Sequence, residues 1–322
     1  MHLGRAAAAR LARAPARRSM SKFAFVGAGA MAEAMIAPLL ETPILGTAPD
    51  VTFYDVSPVV ARRVEQKYAG AARTASMADC VEGADVVVLC TKPQNCDAVF
   101  EQLGPVVQAL PTPPVLLSIL AGVPADRLSE GLGLSKVARA MPNTPGQIGC
   151  GVTVWTRRKD ADFSDDDMVR CQSALGALGK EIYVDDEAFV DMSTSISGSG
   201  PAYVFMLIEA MVDAGVQEGF PRDVSTELVH QTILGSVKYA MHTGEHPAVL
   251  KNSVTSPAGT TASAIYELER GNFRTVVQDA IWACYRRSLE MGGLDSNVGP
   301  GRSSGPKPSH EFPDVDVMRG KK

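Results

Sequence analysis

The fold is decided by the stretch Lys22-Phe23-Ala24-Phe25-Val26-Gly27-Ala28-Gly29-Ala30-Met31-Ala32. A short apolar run leads at once into a G-x-G-x-x-A turn, and a helical apolar pattern follows through Met35, Ile36, Leu39 and Leu40. A strand, a glycine-rich turn and a helix in this order are the context that a dinucleotide-binding turn requires. We therefore expect an α/β fold whose first turn binds a dinucleotide. A glycine turn without a ligand remains the alternative.

The small residues of this turn suit a bound pyrophosphate. Gly27 permits the tight turn, Gly29 lets the pyrophosphate approach the backbone, and Ala32 lets the helix pack against the strand. The first turn of the helix then offers free N–H groups and the positive end of its dipole to the phosphates.

Six further apolar runs predict the other strands of a mostly parallel, Rossmann-type sheet. The run 85–90 is continuously apolar, which is typical of a parallel strand covered on both faces. Ligands of open parallel sheets bind at the carboxyl ends of the strands, so we expect Thr91-Lys92-Pro93 and Leu120-Ala121-Gly122 to lie at the site. Ser164 is predicted to cap a helix that Gly179 ends. The six runs are 51–55, 85–90, 115–119, 136–141, 152–155 and 181–184.

Asp55 ends the second predicted strand and bears on the choice of cofactor. A carboxylate at this place accepts hydrogen bonds from both hydroxyls of the adenosine ribose, which favours NADH over NADPH. Its separation from Gly27 is longer than usual, and residues 42–50 have the composition of an inserted loop. The alternative is that Arg62 or Arg63 reaches a 2′-phosphate.

After residue 185 the apolar period becomes helical and stays so. Ser197-Gly198-Ser199-Gly200-Pro201 interrupts the first long helix, and Pro201 suits a first helical position. Helices this apolar, without strands of their own, commonly bury faces against a second subunit, so we expect a homodimer. The predicted helices are 189–196, 203–212, 224–241, 261–270 and 273–291.

An unusual loop, Ser253-Val254-Thr255-Ser256-Pro257-Ala258-Gly259-Thr260-Thr261, lies between two of these helices. Small hydroxyl residues and glycine that lead into a helix form a cradle of backbone N–H groups and hydroxyls for an anion. The loop contains no Arg, so a compact carboxylate suits it better than a polyphosphate. The alternative is an elaborate helix cap without a ligand.

Charge and hydropathy exclude several classes of protein. The chain has 322 residues and a net charge of −5, but residues 1–20 contain five Arg and no acid, so the remaining body carries −10. Because nucleic-acid binding needs clustered Lys and Arg, we expect no nucleic-acid partner. The longest strand-like apolar run, 86–90, is far shorter than a membrane span, so no membrane association is expected.

The cysteines and histidines predict neither a disulfide framework nor a metal site. The six Cys show no C-x-x-C spacing and suit reduced, mostly buried thiols. His242 and His246 are spaced like metal ligands on a helix, but Gly244 and Pro247 would break that helix. We therefore predict no metal.

The chain divides into four predicted segments. Residues 1–20, rich in Ala and Arg, indicate a transit peptide for a mitochondrion or plastid. The alternatives are a disordered leader or translation that starts at Met20, and in either case we expect a cytoplasmic protein. Residues 21–185 form the dinucleotide-binding domain, and residues 186–293 form a helical substrate and dimerisation domain. Residues 294–322, rich in Gly, Pro and Ser, predict a disordered tail.

The stretch from Val254 to Glu269, V-T-S-P-A-G-T-T-A-S-A-I-Y-E-L-E, strongly resembles a motif of the pyrroline-5-carboxylate reductase family. Lys92-Pro93, Arg139-Ala140-Met141-Pro142-Asn143-Thr144-Pro145 and Ser197-Gly198-Ser199-Gly200-Pro201-Ala202-Tyr203 look like other landmarks of that family, in the same order. The resemblance covers about residues 22–293 and leaves both ends outside it.

The resemblance implies that NADPH or NADH reduces 1-pyrroline-5-carboxylate to L-proline, the last step of proline biosynthesis. It also implies a Rossmann domain joined to an intertwined helical dimer domain, with dimers often assembled into a decamer. In the family, the loop that matches Val254–Thr261 binds the substrate carboxylate, and the threonine that matches Thr261 hydrogen-bonds the ring nitrogen. Family members that use NADPH often carry Ser, Asn or Arg near the position of Asp55.

The residues carried over from the family fall into two sets. The substrate-binding set is Val254, Thr255, Ser256, Gly259, Thr260 and Thr261. The cofactor-binding set is Val26, Gly27, Ala28, Gly29, Ala30, Met31, Asp55, Cys90, Thr91, Lys92, Pro93, Leu120 and Ala121.

The implied reaction makes modest chemical demands. An imine carbon is electrophilic once its nitrogen is hydrogen-bonded or protonated, so the enzyme mainly holds C5 of the ring near nicotinamide C4 and excludes water. We expect the catalytic residue Thr261 to polarise the nitrogen and to pass on a proton from solvent. No ionisable side chain is expected to act as an essential base.

Two other functions remain open at this point. A β-hydroxyacid dehydrogenase would carry a catalytic Lys on the helix after Ser197–Pro201, but residues 202–209 contain no Lys. A non-catalytic NAD(P)H-sensing dimer would keep the glycine turn but would have no reason to keep the Thr255–Thr261 cradle.

Overall fold

The structure is a computed structural model that describes residues 20–302. Nearly all of the predicted leader and the last twenty residues of the predicted tail lie outside this range. Within it, strands and helices alternate in the first part of the chain, and only helices follow. The eight strands form one sheet.

The strand order of the sheet is β3-β2-β1-β4-β5-β6-β7-β8. Neighbouring strands are parallel except that β7 runs antiparallel to β6. All seven predicted strands are present, whereas the three-residue β3 is too short to show an apolar pattern. The strands are β1 (Lys22–Val26), β2 (Asp50–Tyr54), β3 (Ala71–Arg73), β4 (Val86–Leu89), β5 (Val115–Ser118), β6 (Val137–Met141), β7 (Gly151–Arg157) and β8 (Gly179–Tyr183).

Both faces of the sheet are covered, as the apolar strands predict. Phe23 and Phe25 of β1 point into a core that α1 and α6 complete, and Ala24 and Val26 point into a second core with α3, α4 and α5. The helices of this region are α1 (Ala30–Glu41), α2 (Pro58–Lys67), α3 (Met77–Val81), α4 (Cys96–Gln108), α5 (Ala125–Leu132) and α6 (Asp165–Gly176).

Helix α6 begins as predicted and ends earlier. The Ser164 hydroxyl accepts a hydrogen bond from the Asp167 N–H, and the Asp167 carboxylate accepts one from the Ser164 N–H, which forms a capping box. The helix ends at Gly176, so the prediction that Gly179 ends it is wrong. Gly179 instead begins β8, where its φ of +128° and the nearby Gly151 backbone require glycine.

The six cysteines are free, as the sequence predicts. Burial raises the pKa of the Cys80 thiol to about 11 and that of Cys171 to about 12. Both are therefore protonated and unreactive at neutral pH. Cys150 is exposed.

The second part of the described chain is helical. The interruption lies earlier than predicted. It is a π-helical turn, Thr194–Gly198, in which the Ser199 N–H donates to the Thr194 carbonyl at 2.8 Å, and the next helix already begins at Gly200. Helix α10 was not predicted. It begins at Pro247, whereas the preceding helix ends at Thr243, so the predicted break in the helix between His242 and His246 is confirmed. The helices are α7 (Ala188–Ser193), α8 (Gly200–Glu218), α9 (Arg222–Thr243), α10 (Pro247–Ser253), α11 (Thr260–Arg270) and α12 (Phe273–Met291).

These helices have little core of their own within one chain. Helix α8 buries only Val212, and no residue of α10 or α11 is buried. Large apolar side chains instead face outward, and Met206 and Met241 are 74% and 79% exposed. An apolar surface of this extent is typical of a protein interface.

One helical stretch, Ala188–Glu218, is by length and composition alone long and apolar enough to cross a membrane. The sequence prediction counted only uninterrupted apolar runs and therefore did not find it. A core helix of a soluble protein passes the same test, so a single helix of this kind is weak evidence for a membrane.

Residues 294–302 differ from the predicted disordered tail. They fold back along α12, where Arg286 Nε donates to the Val298 carbonyl at 2.9 Å. We call residues 294–302 the strap. Its neighbours 303–322 lie outside the described range.

A buried ion pair joins the sheet to the first helix of the helical region. Arg139 of β6 is 1% exposed, and its Nη1 donates to Glu187 Oε1 at 2.7 Å and to Asp191 Oδ2 at 3.1 Å, while its Nη2 donates to Asp191 Oδ1. Burial opposes the charge of Arg139, but hydrogen bonds to Asp191 and the charges of both carboxylates outweigh it and raise the pKa of Arg139. Arg139 therefore stays charged at neutral pH.

Replacing Arg139 by Met leaves the Asp191 carboxylate buried without its partner. We expect Arg139→Met to lower the free energy of unfolding by about 3–5 kcal/mol, measured by urea titration. Arg127→Met is the control, because Arg127 pairs with Asp97 on the surface and its loss should leave the urea midpoint nearly unchanged. Equal midpoints for the two variants would contradict a structural role for the buried pair.

Candidate active site

The glycine turn lies between β1 and α1, at the carboxyl edge of the sheet. Gly27 has a φ of +94°, and its N–H donates to the Tyr54 carbonyl at 2.8 Å. A Cβ atom at Gly27 would lie 2.8 Å from the carbonyl oxygen of Cys90. Both the backbone conformation and the neighbouring strand end therefore require glycine here.

Gly29 leaves open space above the same turn. A Cβ atom there would meet no protein atom within 4 Å. Gly29 immediately precedes α1, and no side chain caps that helix. The N–H groups of its first turn therefore point to a space that an anion can occupy, and the pyrophosphate of a dinucleotide fits this arrangement.

Asp55 holds the turn in place through both carboxylate oxygens. Oδ2 accepts a hydrogen bond from the Ala28 N–H at 2.8 Å, and Oδ1 accepts one from the Ser57 N–H at 2.8 Å. Each oxygen can accept a further hydrogen bond, so ribose hydroxyls remain possible partners. No sequence pattern indicated this structural role of Asp55, and the Ala28 N–H is not available to a phosphate.

The loops after β4 and β5 lie beside the glycine turn. The Cys90 N–H donates to the Val26 carbonyl at 2.9 Å, and the Ile119 N–H donates to the Leu89 carbonyl at 3.2 Å. The structure thus brings together three predicted cofactor segments at neighbouring strand ends. Leu120 is buried, and Ala121 is partly buried.

Thr91 offers a second observation that fits a cofactor. Its hydroxyl oxygen is buried and has no hydrogen-bond partner among residues 20–302. A buried polar atom without a partner is costly, and a polar group of a bound dinucleotide would satisfy it. Cys90 supplies no charge, because burial raises the pKa of its thiol. Lys92 is exposed, and Pro93 begins a 3₁₀ turn.

Gly122 was not predicted to matter for packing. Its φ is +68°, and a Cβ atom there would lie 3.0 Å from Met291 Cβ and 3.1 Å from the Ser288 carbonyl oxygen. The end of α12 therefore packs directly behind the Leu120–Ala121 loop. The contacting residues are so far apart along the chain that no local pattern could have indicated them.

The predicted substrate loop connects α10 and α11. Thr255 Oγ1 donates to the Lys251 carbonyl at 2.7 Å, and the Gly259 N–H donates to the Ser256 carbonyl at 3.1 Å. Ala258 has a φ of +58°, a backbone conformation that costs a non-glycine residue free energy. Gly259 precedes α11, which no side chain caps. Thr260 and Thr261 thus form an open helix N-terminus suited to a carboxylate.

The structure does not bring the two halves of the predicted site together within one chain. The hydrogen bonds of the 254–259 segment stay within α10, α11 and the loop itself across the described residues. Val254 is 66% exposed, and Ser256 and Thr260 are exposed as well. The loop therefore faces away from its own chain.

A parallel sheet with a glycine turn at its carboxyl edge, followed by helices that expose their apolar faces, defines a nicotinamide-dependent oxidoreductase with a self-associating helical region. The comparisons with known proteins agree. A family model for NADP oxidoreductases, coenzyme F420-dependent, matches residues 22–122, and one for pyrroline-5-carboxylate reductase dimerisation matches residues 187–291. The chain belongs to the pyrroline-5-carboxylate reductase family.

Three similar proteins illustrate this membership. Pyrroline-5-carboxylate reductase of Glycine max is 38% identical over 267 residues, which are 83% of this chain and 94% of the relative. The solved structure of the Coxiella burnetii reductase has 31% identity and a TM-score of 0.73, covering 85% of this chain and 99% of that one. The Plasmodium falciparum enzyme, solved with NADP bound, has 28% identity and a TM-score of 0.72, covering 85% and 98%.

Two glycine substitutions separate folding from cofactor binding. We expect Gly27→Ala to lower the free energy of unfolding by about 2 kcal/mol or more, because it is strained at positive φ and meets the Cys90 backbone. We expect Gly29→Ala to keep the melting temperature but to weaken cofactor binding at least about tenfold, because its methyl group occupies the pyrophosphate space. Calorimetry and a fluorescence titration with NADH measure the two effects. Wild-type NADH affinity in Gly29→Ala would place the pyrophosphate elsewhere.

Proposed function

We propose that this protein reduces 1-pyrroline-5-carboxylate to L-proline with a nicotinamide dinucleotide, as the last step of proline biosynthesis. The observation that carries the proposal is that the same chain has both an open dinucleotide turn and an uncapped, arginine-free loop at the start of α11. When bound, the reduced nicotinamide supplies a hydride to the imine carbon. The residues of the chain bind and orient both molecules and supply the polar contacts.

The cofactor is held at the carboxyl edge of the sheet. The first N–H groups of α1 hold the pyrophosphate above Gly29, which has room for it. The buried Thr91 hydroxyl supplies a further polar contact, and the Leu120–Ala121 loop lies at the nicotinamide end, although the Leu120 side chain itself is buried in the core.

The substrate carboxylate binds at the N-terminus of α11. The free N–H groups of Thr260 and Thr261 and the hydroxyls of Ser256 and Thr260 supply donors without a cationic side chain. In a body with a strong acidic excess, such local donors are the means of attracting an anion. The left-handed Ala258 fixes the course of the loop that aims them.

Thr261 hydrogen-bonds the ring nitrogen of the imine. This contact polarises the C=N bond, and the hydroxyl can pass a proton from solvent to the nitrogen as the carbon is reduced. Most of the rate then comes from holding the ring carbon close to the nicotinamide and from excluding water.

The two halves of the active site come from different protomers in this proposal. The exposed loop lacks hydrogen bonds to residues 20–185 of its own chain, and α8–α11 expose the apolar faces that a partner would cover. A homodimer places the loop of one protomer over the cofactor of its partner. We further propose that dimers assemble into a decamer, which light scattering would distinguish from a dimer.

NADH is the proposed cofactor. The Asp55 carboxylate lies where a 2′-phosphate would be repelled, and Arg63 is already paired with Glu33 of α1. Arg62 is exposed and is the group that could reach a 2′-phosphate instead. A ratio of kcat/KM for NADH over NADPH above one supports the choice, and a ratio below one contradicts it.

We also propose that residues 1–20 direct the protein to a mitochondrion or plastid. Fluorescent fusions with and without these residues test the point, and a cytoplasmic signal for both would contradict it. We propose no nucleic-acid partner, because the body of the chain is acidic. We propose no membrane partner, because the apolar stretch Ala188–Glu218 falls in the region matched by the dimerisation family.

The assay follows NADH absorbance after addition of 1-pyrroline-5-carboxylate. We expect Thr261→Ala to lower kcat/KM by about tenfold to a thousandfold, the scale of one to three lost hydrogen bonds. Ser263→Ala is the matched control, because that exposed hydroxyl lies on the same helix beyond the proposed contacts. Unchanged turnover in Thr261→Ala removes the proposed role of Thr261. No oxidation of either cofactor by the wild type removes the reductase function.

A further inference from the structure

The strap is anchored to α12 by two side chains. The Arg286 guanidinium donates from Nε to the Val298 carbonyl at 2.9 Å and from Nη2 to the Pro300 carbonyl at 3.4 Å. Gly299 lies against the Trp282 ring so closely that a Cβ atom would be 2.5 Å from Cε3. Arg286 also lies over that ring, 5.7 Å from its centroid. The strap is thus held by the two hydrogen bonds from Arg286 and by its contact with the Trp282 ring.

The C-terminal end of α12 packs against the predicted cofactor loop, Leu120-Ala121-Gly122. One turn beyond Arg286, helix α12 ends against Gly122, where a Cβ at Gly292 would lie 2.8 Å from the Gly122 carbonyl oxygen. Gly122 directly follows Leu120 and Ala121. Backbone packs on backbone at this point, so a small shift of the helix end must move the loop or open a gap.

The strap lies outside the stretch that the dimerisation family matches. That match ends at residue 291, and the strap begins at residue 294.

We propose that the strap is a positioning element for the cofactor. By clamping the C-terminal half of α12, it holds the end of that helix against Gly122 and thereby fixes the Leu120–Ala121 loop beside the nicotinamide. The proposal rests on the proposed function in one respect, the placement of that loop at the nicotinamide. It assigns Arg286 and Trp282 a role in cofactor affinity although neither touches the cofactor.

A pair of matched glycine variants tests the proposal. Gly299→Ala drives a methyl group into the Trp282 ring and displaces the strap. Gly301→Ala has a similar positive φ of +74° but no atom within 4 Å of its Cβ, so it carries the backbone strain without the collision. A chain that ends after Gly293 removes the strap together with residues 303–322. The cofactor dissociation constant is measured by fluorescence titration well below the melting temperature of each variant.

We expect Gly299→Ala and the shortened chain to raise the cofactor dissociation constant about three- to tenfold, with kcat at saturating cofactor changed less than about twofold. Gly301→Ala should bind cofactor like the wild type. A merely structural strap would lower the melting temperature and leave the dissociation constant unchanged, and that result overturns the proposal. If the shortened chain fails to fold, Gly299→Ala decides alone. Failure of the wild type to reduce 1-pyrroline-5-carboxylate is a separate result, since cofactor affinity is measured without substrate.

Discussion

The constraint on which this protein depends is the apolar surface that α8 to α11 cannot bury within one chain. A helix contributes to stability chiefly by packing an apolar face. Here α10 and α11 bury no residue, and α8 buries one. The dimerisation family that matches residues 187–291 supports self-association through these faces. In the proposed function, assembly of the active site therefore depends on self-association.

The sheet domain has the opposite character, because it completes two cores of its own. The Arg139 ion pair then fixes α7 to β6, and the end of α12 packs on the backbone of Gly122. These two junctions set where the helical region stands relative to the carboxyl edge of the sheet.

Much of the fold follows from sequence, because its signals are local. The glycine turn predicts β1 and α1, and the apolar periodicity predicts both ends of α12 correctly. Asp55 was predicted for the ribose, but its hydrogen bonds to the Ala28 and Ser57 N–H groups have no side-chain signal. The strap escaped prediction for the same reason, since Arg286 binds backbone carbonyls. Contacts such as Gly122 with Gly292 depend on the fold itself.

The central claim is that each active site combines the glycine turn of one protomer with the Thr255–Thr261 loop of its partner. Two impaired variants test it: Gly29→Glu, whose carboxylate occupies the pyrophosphate space, and Thr261→Ala, which keeps only its reduced activity. Differently tagged chains are co-expressed, and the mixed dimers are isolated by both tags. One of the two sites in each mixed dimer should then be intact, so NADH oxidation should return to about half of the wild-type rate. Mixed dimers no more active than their parents would contradict the claim.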